Sequence, residues 1–184
     1  MNLKRPSKRA NLKLLQQRGE TLNSFIIHEA TIEDLPALVN LHVKTWNETY
    51  PGFKKPPAYE VREYQWRNQF KVTDGSWFCF VIENNKKELI GFAKGKRNED
   101  NTGVIDKIYL LRSYQRLGLG RKLVGQVARR FLSMGVSSIS LFGIPQNPSC
   151  YFHKSIGGEK LYGDNGEFHG GFIWRDIQTL ASFY

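Results

Sequence analysis

The sequence predicts a mixed α/β (α+β) chain built on one mostly antiparallel sheet of about seven strands with about four helices, and three observations carry the prediction. Residues 76–83, 88–96 and 104–111 are apolar, aromatic- and β-branched-rich runs separated by the polar turns 84–87 and 98–103, which reads as three sequential antiparallel strands. Residues 119–134 place Leu123, Val124, Val127 and Phe131 on one helical stripe that Gly135 ends. Residues 136–142 form another apolar run after that helix, so the strand returns by a crossover and lies parallel to the strand at 104–111.

The remaining elements follow in order. Residues 25–30 read as a first strand. Thr31 is placed to cap a helix whose first turn carries Glu33 and Asp34, and Leu35, Leu38, Leu41 and the pair Thr45 and Trp46 then recur at helical spacing until Pro51 and Gly52 break it. Residues 54–57, Lys-Lys-Pro-Pro, make a connector to a second helix at 58–70. After the crossover strand, residues 147–155 form a short helix, and turns at Gly157-Gly158 and residues 163–166 frame terminal hairpin strands at 160–162 and 167–176. The order is β-α-α-β-β-β-α-β-α-β-β.

A chain of 184 residues that is 40% hydrophobic and 24% charged suits one globular domain, and no internal repeat is visible. No run approaches a membrane span, and the basic start lacks a continuous apolar signal-peptide core, so a cytoplasmic protein without membrane contact is expected. Cys79 and Cys150 form no metal or redox motif and read as small buried hydrophobes; four scattered histidines give no zinc site, and no metal is expected. The formal net charge is +10, and Lys4, Arg5, Lys8, Arg9, Lys13 and Arg18 against Glu20 place half of that excess in residues 1–23. This stretch reads as a basic N-terminal extension of a single domain at 24–184; Leu12, Leu14 and Leu15 offer a short helix a way to dock on the body or on another subunit, and nucleic acid is an unlikely partner.

The chemistry concentrates at Gln115-Arg116-Leu117-Gly118-Leu119-Gly120, between the strand at 104–111 and the long helix. Glycines there let the backbone turn sharply and approach a ligand, while the unpaired amides of the first helical turn carry partial positive charge outward. Such a junction suits a phosphate or pyrophosphate, and Gln115, Arg116 and Arg121 add side-chain donors. The stretch lacks the Lys-Ser or Lys-Thr of a P-loop and the first glycine of a dinucleotide fingerprint; a plain structural turn is the other reading.

Gln115-x-x-Gly118-x-Gly120 after Ile108-Tyr109-Leu110 resembles the coenzyme-binding signature of the GNAT family of N-acetyltransferases. Asn147-Pro148-Ser149 leading to Phe152-His153-Lys154 and Gly157-Gly158 resembles the family's late segment, and Phe172-Ile173-Trp174-Arg175-Asp176 a closing strand of its bacterial members. The resemblance implies the acyl-CoA N-acyltransferase fold, in which the strands before the loop and after the long helix splay apart and expose backbone to the pantetheine arm, here at Ile108, Tyr109 and Leu110. It implies acetyl-CoA as cosubstrate, with Gln115 to Arg121 on its pyrophosphate and Asn147 beside it; Asn147 serves equally as a helix N-cap. It also implies direct attack by a primary amine of a small molecule, peptide or protein, with Trp46 and Tyr50 lining the acceptor pocket, simple packing at the helix end being the other reading of both aromatics, and it makes a homodimer possible.

Two positions depart from the family pattern. Val104 stands where many members carry a glutamate base, and Asp106, two residues on and on the same face by strand alternation, is the nearest substitute; an ion pair with a nearby Lys or Arg is its other reading. His153 stands where a tyrosine usually acts as general acid, so it either protonates the departing thiolate or simply packs, with Tyr151 as second choice for the acid. These departures also motivate an alternative, a catalytically weak or inactive acyl-CoA-binding module, and the basic N-terminus motivates a third, a contact with nucleic acid.

Overall fold

The structure, a computed structural model, describes residues 6–52 and 57–184. The connector expected at 54–57 falls mostly outside the described residues. Seven strands form one sheet in the order β1-β2-β3-β4-β5-β7-β6, with β1 (Ile26–Glu29), β2 (Trp77–Glu83), β3 (Leu89–Arg97), β4 (Gly103–Leu110), β5 (Ile139–Phe142), β6 (Glu159–Tyr162) and β7 (Phe168–Trp174). Every neighbouring pair is antiparallel except β4 and β5. The β2–β3 turn is set by Asn84, whose buried side chain accepts from the amides of Lys86 and Glu88 at 2.9 Å each.

Thr31 caps not helix α2 (Leu35–Thr49) itself but a 3₁₀ turn at Ile32–Asp34 that leads into it: the Thr31 amide donates to Asp34 Oδ2 at 2.8 Å, and Pro36 occupies the first turn of α2, where its missing N–H costs nothing. Leu38, Val39 and His42 of α2, with Trp66 of α3 (Tyr59–Phe70), cover the sheet face that carries Phe92. On the opposite face lies α4 (Leu119–Ser133), whose stripe Leu123, Val124, Val127, Ala128 and Phe131 is wholly buried. Phe131 meets Phe78 edge-to-face at 4.9 Å and sits against Gly95 and Gly103, where any side chain would collide with its ring.

Six α-helices, rather than four, occur among the described residues. Besides α5 (Ser149–Ser155), the structure adds α6 (Gln178–Ala181), which lies on α4; Arg129 donates to the carbonyls of Ala181 and Phe183, and Gly125 lets the Phe183 backbone come closer than a β-carbon would permit. It also adds α1 (Lys8–Gln17), inside the stretch read as an appendage. That helix packs on the body: Leu15 is buried, Asn11 Nδ2 donates to the carbonyls of Arg112 (3.0 Å) and Gln115 (2.8 Å), and just beyond the helix the buried Glu20 accepts from the Tyr114 hydroxyl at 3.1 Å.

Because Leu15 is closed off from water and belongs to the main core, Leu15→Ala is expected to lower unfolding free energy by about 2–4 kcal/mol, against less than about 0.5 kcal/mol for Arg9→Ala on the exposed face. Urea titration followed by tryptophan fluorescence checks this, and equal stability of both variants with the wild type would show that α1 does not belong to the cooperative unit.

Candidate active site

The site starts from a break in the sheet. Strands β4 and β5 are in register only at Gly103–Ile139 and Val104–Ser140, although β4 runs on to Leu110 and β5 to Phe142. Beyond Val104, β4 therefore keeps β3 on one side and faces a gap on the other. A cavity of about 610 Å³ occupies that gap, reached by Ile108, Tyr109 and Leu110 of β4 and by Phe142 and Gly143 at the end of β5.

At the end of the gap, the chain passes through a short 3₁₀ turn at Arg112–Tyr114 and enters α4. Arg116 (φ 65°) and Gly118 (φ 87°) both take the left-handed conformation, which tightens the entry; at Gly118 only glycine adopts it without strain. The helix ladder starts with Arg121 and Lys122 donating to the Gly118 carbonyl, so the amides of Gly118, Leu119 and Gly120 have no acceptor among the described residues. Gly118, Gly120, Arg116 and Arg121 line the cavity, and Gly120 faces the ring of Phe152, which a β-carbon would approach to 3.3 Å. Partial positive charge at a helix N-terminus and a bare backbone make this end of the cavity suited to an anion.

The sequence candidates divide by what their side chains do. Leu117 and Leu119 are buried in the core, so only their backbone belongs to the loop. Gln115 lines the cavity, but its Nε2 donates to the Leu110 carbonyl at 2.9 Å and so braces the end of β4 instead of being held out for a ligand. Arg121 donates to the Ser155 carbonyl at 3.2 Å and stacks on Phe183, whereas Arg116 is exposed and has no side-chain bond among the described residues. Asn147 does two jobs: its Oδ1 accepts from the Ser149 amide at 2.9 Å, fixing the start of α5, and its Nδ2 donates to the Tyr50 hydroxyl at 3.1 Å.

Tyr50 reaches the cavity from the end of α2, while Trp46 stacks behind it with ring centroids 5.2 Å apart and does not reach the cavity wall. The Tyr50 hydroxyl also hydrogen-bonds Tyr109; burial first, then this neighbour, raises the Tyr109 phenol, which stays protonated at any working pH. Two further cavity groups were not singled out from the sequence. Glu48 accepts from the Arg112 amide at 2.7 Å, and Lys8 reaches the rim from α1. Glu48 lies two residues before Tyr50, on the same helix end that the aromatics had flagged; the signal for Lys8 was the i, i+3 pair Leu12 and Leu15 beside it.

Asp106 corrects a geometric expectation. Lys94 pairs with Lys107 and Gly95 with Ile105, so Asp106 is the extra residue of a β-bulge, and the period-2 argument that put it on the face of Val104 does not hold through it. Its Oδ2 takes both Lys107 Nζ (2.7 Å) and Lys94 Nζ (3.0 Å). Burial by itself would raise the carboxyl, but the hydrogen bonds and charges of Lys107 and Lys94 outweigh it and hold the group below the ordinary value. A carboxylate in that position is a weak proton acceptor, so the ion-pair reading describes it.

His153 faces the cavity from α5 yet is only 3% exposed, packed among Phe152, Phe172 and Trp174 with ring centroids 5.4–6.2 Å away. Burial lowers its pKa to about 4, so roughly one molecule in a thousand carries an imidazolium there at pH 7. A second buried imidazole, His42, accepts from Trp66 Nε1 at its Nδ1 (3.0 Å) and is lowered to about 3, chiefly by burial and next by the Arg62 charge. Cys79 is buried, and burial raises its thiol; among the described residues no group of three or more His, Cys, Asp or Glu is placed to hold a metal ion.

Both histidines are neutral in the fold while the unfolded chain protonates them near pH 6.5, so their contribution is complete above that value and is lost as pH falls toward 4 for His153 and 3 for His42. His153 alone accounts for about 3 kcal/mol across that window. In His153→Phe, the stability difference between pH 7 and pH 4.5 in urea is expected to shrink by about 2 kcal/mol; an unchanged difference would mean the ring is not held neutral.

Comparison with known proteins agrees with this geometry. The profile of the Acetyltransferase (GNAT) family matches residues 36–157. The uncharacterized N-acetyltransferase YuaI of Bacillus subtilis (strain 168) is 30% identical over 174 residues, covering 85% of this chain and 96% of its own. Among solved structures, the PaiA N-acetyltransferase of Thermoplasma acidophilum in complex with coenzyme A superposes with a TM-score of 0.70 at 21% identity, over 82% of this chain and 98% of that one. The spermidine N-acetyltransferase of Vibrio cholerae in complex with CoA and spermine gives 0.64 at 17% identity, over 86% and 99%. No helix among the described residues is long and apolar enough to cross a membrane. The split sheet, the glycine turn into α4 and the family profile across them together make this chain an acetyltransferase of the GNAT family.

Proposed function

We propose that the protein transfers the acetyl group of acetyl-CoA to a primary amine of a small molecule, peptide or protein by direct attack, in the cytoplasm. The observation that carries this reading is that the bare amides of Gly118 to Gly120 open into the same cavity as the unpaired stretch of β4. A ligand with a pyrophosphate at one end and an extended amide-bearing arm matches that combination, and related GNAT structures hold coenzyme A. The thioester supplies an activated acyl group. The chain's share is to fix the donor through Arg116 and the α4 amides, to let β4 backbone bond the arm, and to present the acceptor beside Tyr50 and Glu48.

Positioning carries most of the rate in this reading. Holding two reactants in line is worth roughly 7–11 kcal/mol in favourable cases, and neither Asp106, tied to two lysines, nor His153, neutral and buried, is poised for strong acid–base work near pH 7. His153 acts through a neutral ring N–H if it acts on the thiol at all, and the amine loses its proton to solvent. The inactive-module alternative shares the binding site but predicts no turnover.

Thiol release from acetyl-CoA over a panel of amines, including spermidine and N-terminal peptides, tests the assignment. Gly118→Glu places a carboxylate on the anion turn and Gly120→Trp fills the space before Phe152; each is expected to cut acetyl-CoA affinity at least 100-fold by calorimetry, about 3 kcal/mol. Undiminished affinity in both would remove the coenzyme site from this cavity.

The pH profile separates the chemistry. kcat/KM is expected to climb with the fraction of neutral amine and to show no enzyme inflection between pH 5 and 7, because His153 titrates at about 4. An inflection near 6.5 that disappears in His153→Gln would restore an imidazolium acid.

A further inference from the structure

Helix α1 lies outside the residues matched by the family profile, yet Pro6 and Lys8 at its start line the same cavity as Arg116, Gly118 and Gly120. Its placement is fixed rather than incidental. Asn11, 5% exposed, spends its side-chain amide on the carbonyls of Arg112 and Gln115, the two residues that bracket the turn leading into the anion loop. Below it Leu15 is buried, and Tyr114 from the same turn donates to the buried Glu20. The basic helix and the loop are therefore joined directly by these bonds.

Lys8 lies three residues before Asn11, on the same side of the helix, so the bond that seats Asn11 on the loop also carries Lys8 to the cavity rim. Its side chain is exposed, and among the described residues no carboxylate neutralises it. The pyrophosphate end of the cavity is already furnished by the α4 amides and Arg116. Lys8 reaches the same cavity from a separate element, α1, and coenzyme A carries a second negative group apart from its pyrophosphate, the phosphate on the ribose 3′ position.

We propose that α1 is the outer lip of the coenzyme site and that Lys8 pairs with the 3′-phosphate of coenzyme A, so that the N-terminal extension selects the phosphorylated coenzyme. This rests on the assignment of the cavity to coenzyme A. The pair is charge-assisted and solvent-exposed, which sets its expected strength at about threefold to tenfold in affinity at low salt and makes it fade as salt is raised.

Calorimetry on the full chain with coenzyme A and with 3′-dephospho-coenzyme A tests it. The wild type should bind coenzyme A about threefold to tenfold more tightly than the dephospho form. Lys8→Ala should weaken coenzyme A to the dephospho level without moving the dephospho affinity, Lys8→Arg should restore the gap, and Arg9→Ala, on the exposed face outside this cavity, should change neither. Equal weakening of both ligands in Lys8→Ala, or no change in either, overturns the pairing while leaving the coenzyme site standing. Failure of the wild type to bind either ligand overturns the coenzyme assignment itself.

Discussion

Two parallel strands that share only the registers of Gly103 and Val104 leave the rest of β4 without a partner on one side, and the site is arranged around that unmet bonding capacity. Backbone N–H and C=O groups withheld from both water and a ladder are costly, so a gap in mid-sheet persists only where solvent or a ligand enters it. The bulge at Asp106 redirects β4 as the two strands part. The glycine turn then brings the start of α4 to the end of the gap, α5 closes one wall with Phe152 and His153, and the end of α2 closes another with Tyr50. The Asn147–Tyr50 hydrogen bond ties those walls together, and Gln115 braces the last carbonyl of β4.

Most of the sheet was legible because its signals are local. Polar turns at Asn84 and Asn98 delimit β2, β3 and β4, and the stripe ending at Phe131 before Gly135 specifies α4 without reference to anything distant. What could not be read depended on tertiary contact. In the N-terminal stretch Leu12, Leu14 and Leu15 offered a docking helix but not its seat, which is set by the bonds of Asn11 to Arg112 and Gln115, about a hundred residues away. Alternation is a property of regular strands, so no pattern in Val104-Ile105-Asp106 announced the bulge that sets Asp106 between two lysines. His153 likewise has the residue type of an acid–base group; its neutrality comes from Phe152, Phe172 and Trp174 around it, which spacing does not reveal.

The difference in legibility between the two halves of the site has a physical origin. At the α4 end, the proposed recognition uses backbone: left-handed turns at Arg116 and Gly118 and amides left over at a helix start. Backbone recognition constrains residue type strongly, since few residues other than glycine tolerate the conformation or the close approach, and that constraint is visible as Gly118-x-Gly120. At the end proposed for the acceptor, the wall is made of side chains such as Glu48, Tyr50 and Tyr109, each of which is placed by a hydrogen bond to a residue remote in sequence. Many residue sets satisfy that kind of pocket, and a fold that fixes its donor by backbone leaves its acceptor free to vary with the side chains around the cavity. The role proposed for helix α1 follows the same logic on the donor side: with backbone amides already facing the cavity, an added segment bearing Lys8 would adjust which form of the donor is preferred without altering how the donor is held.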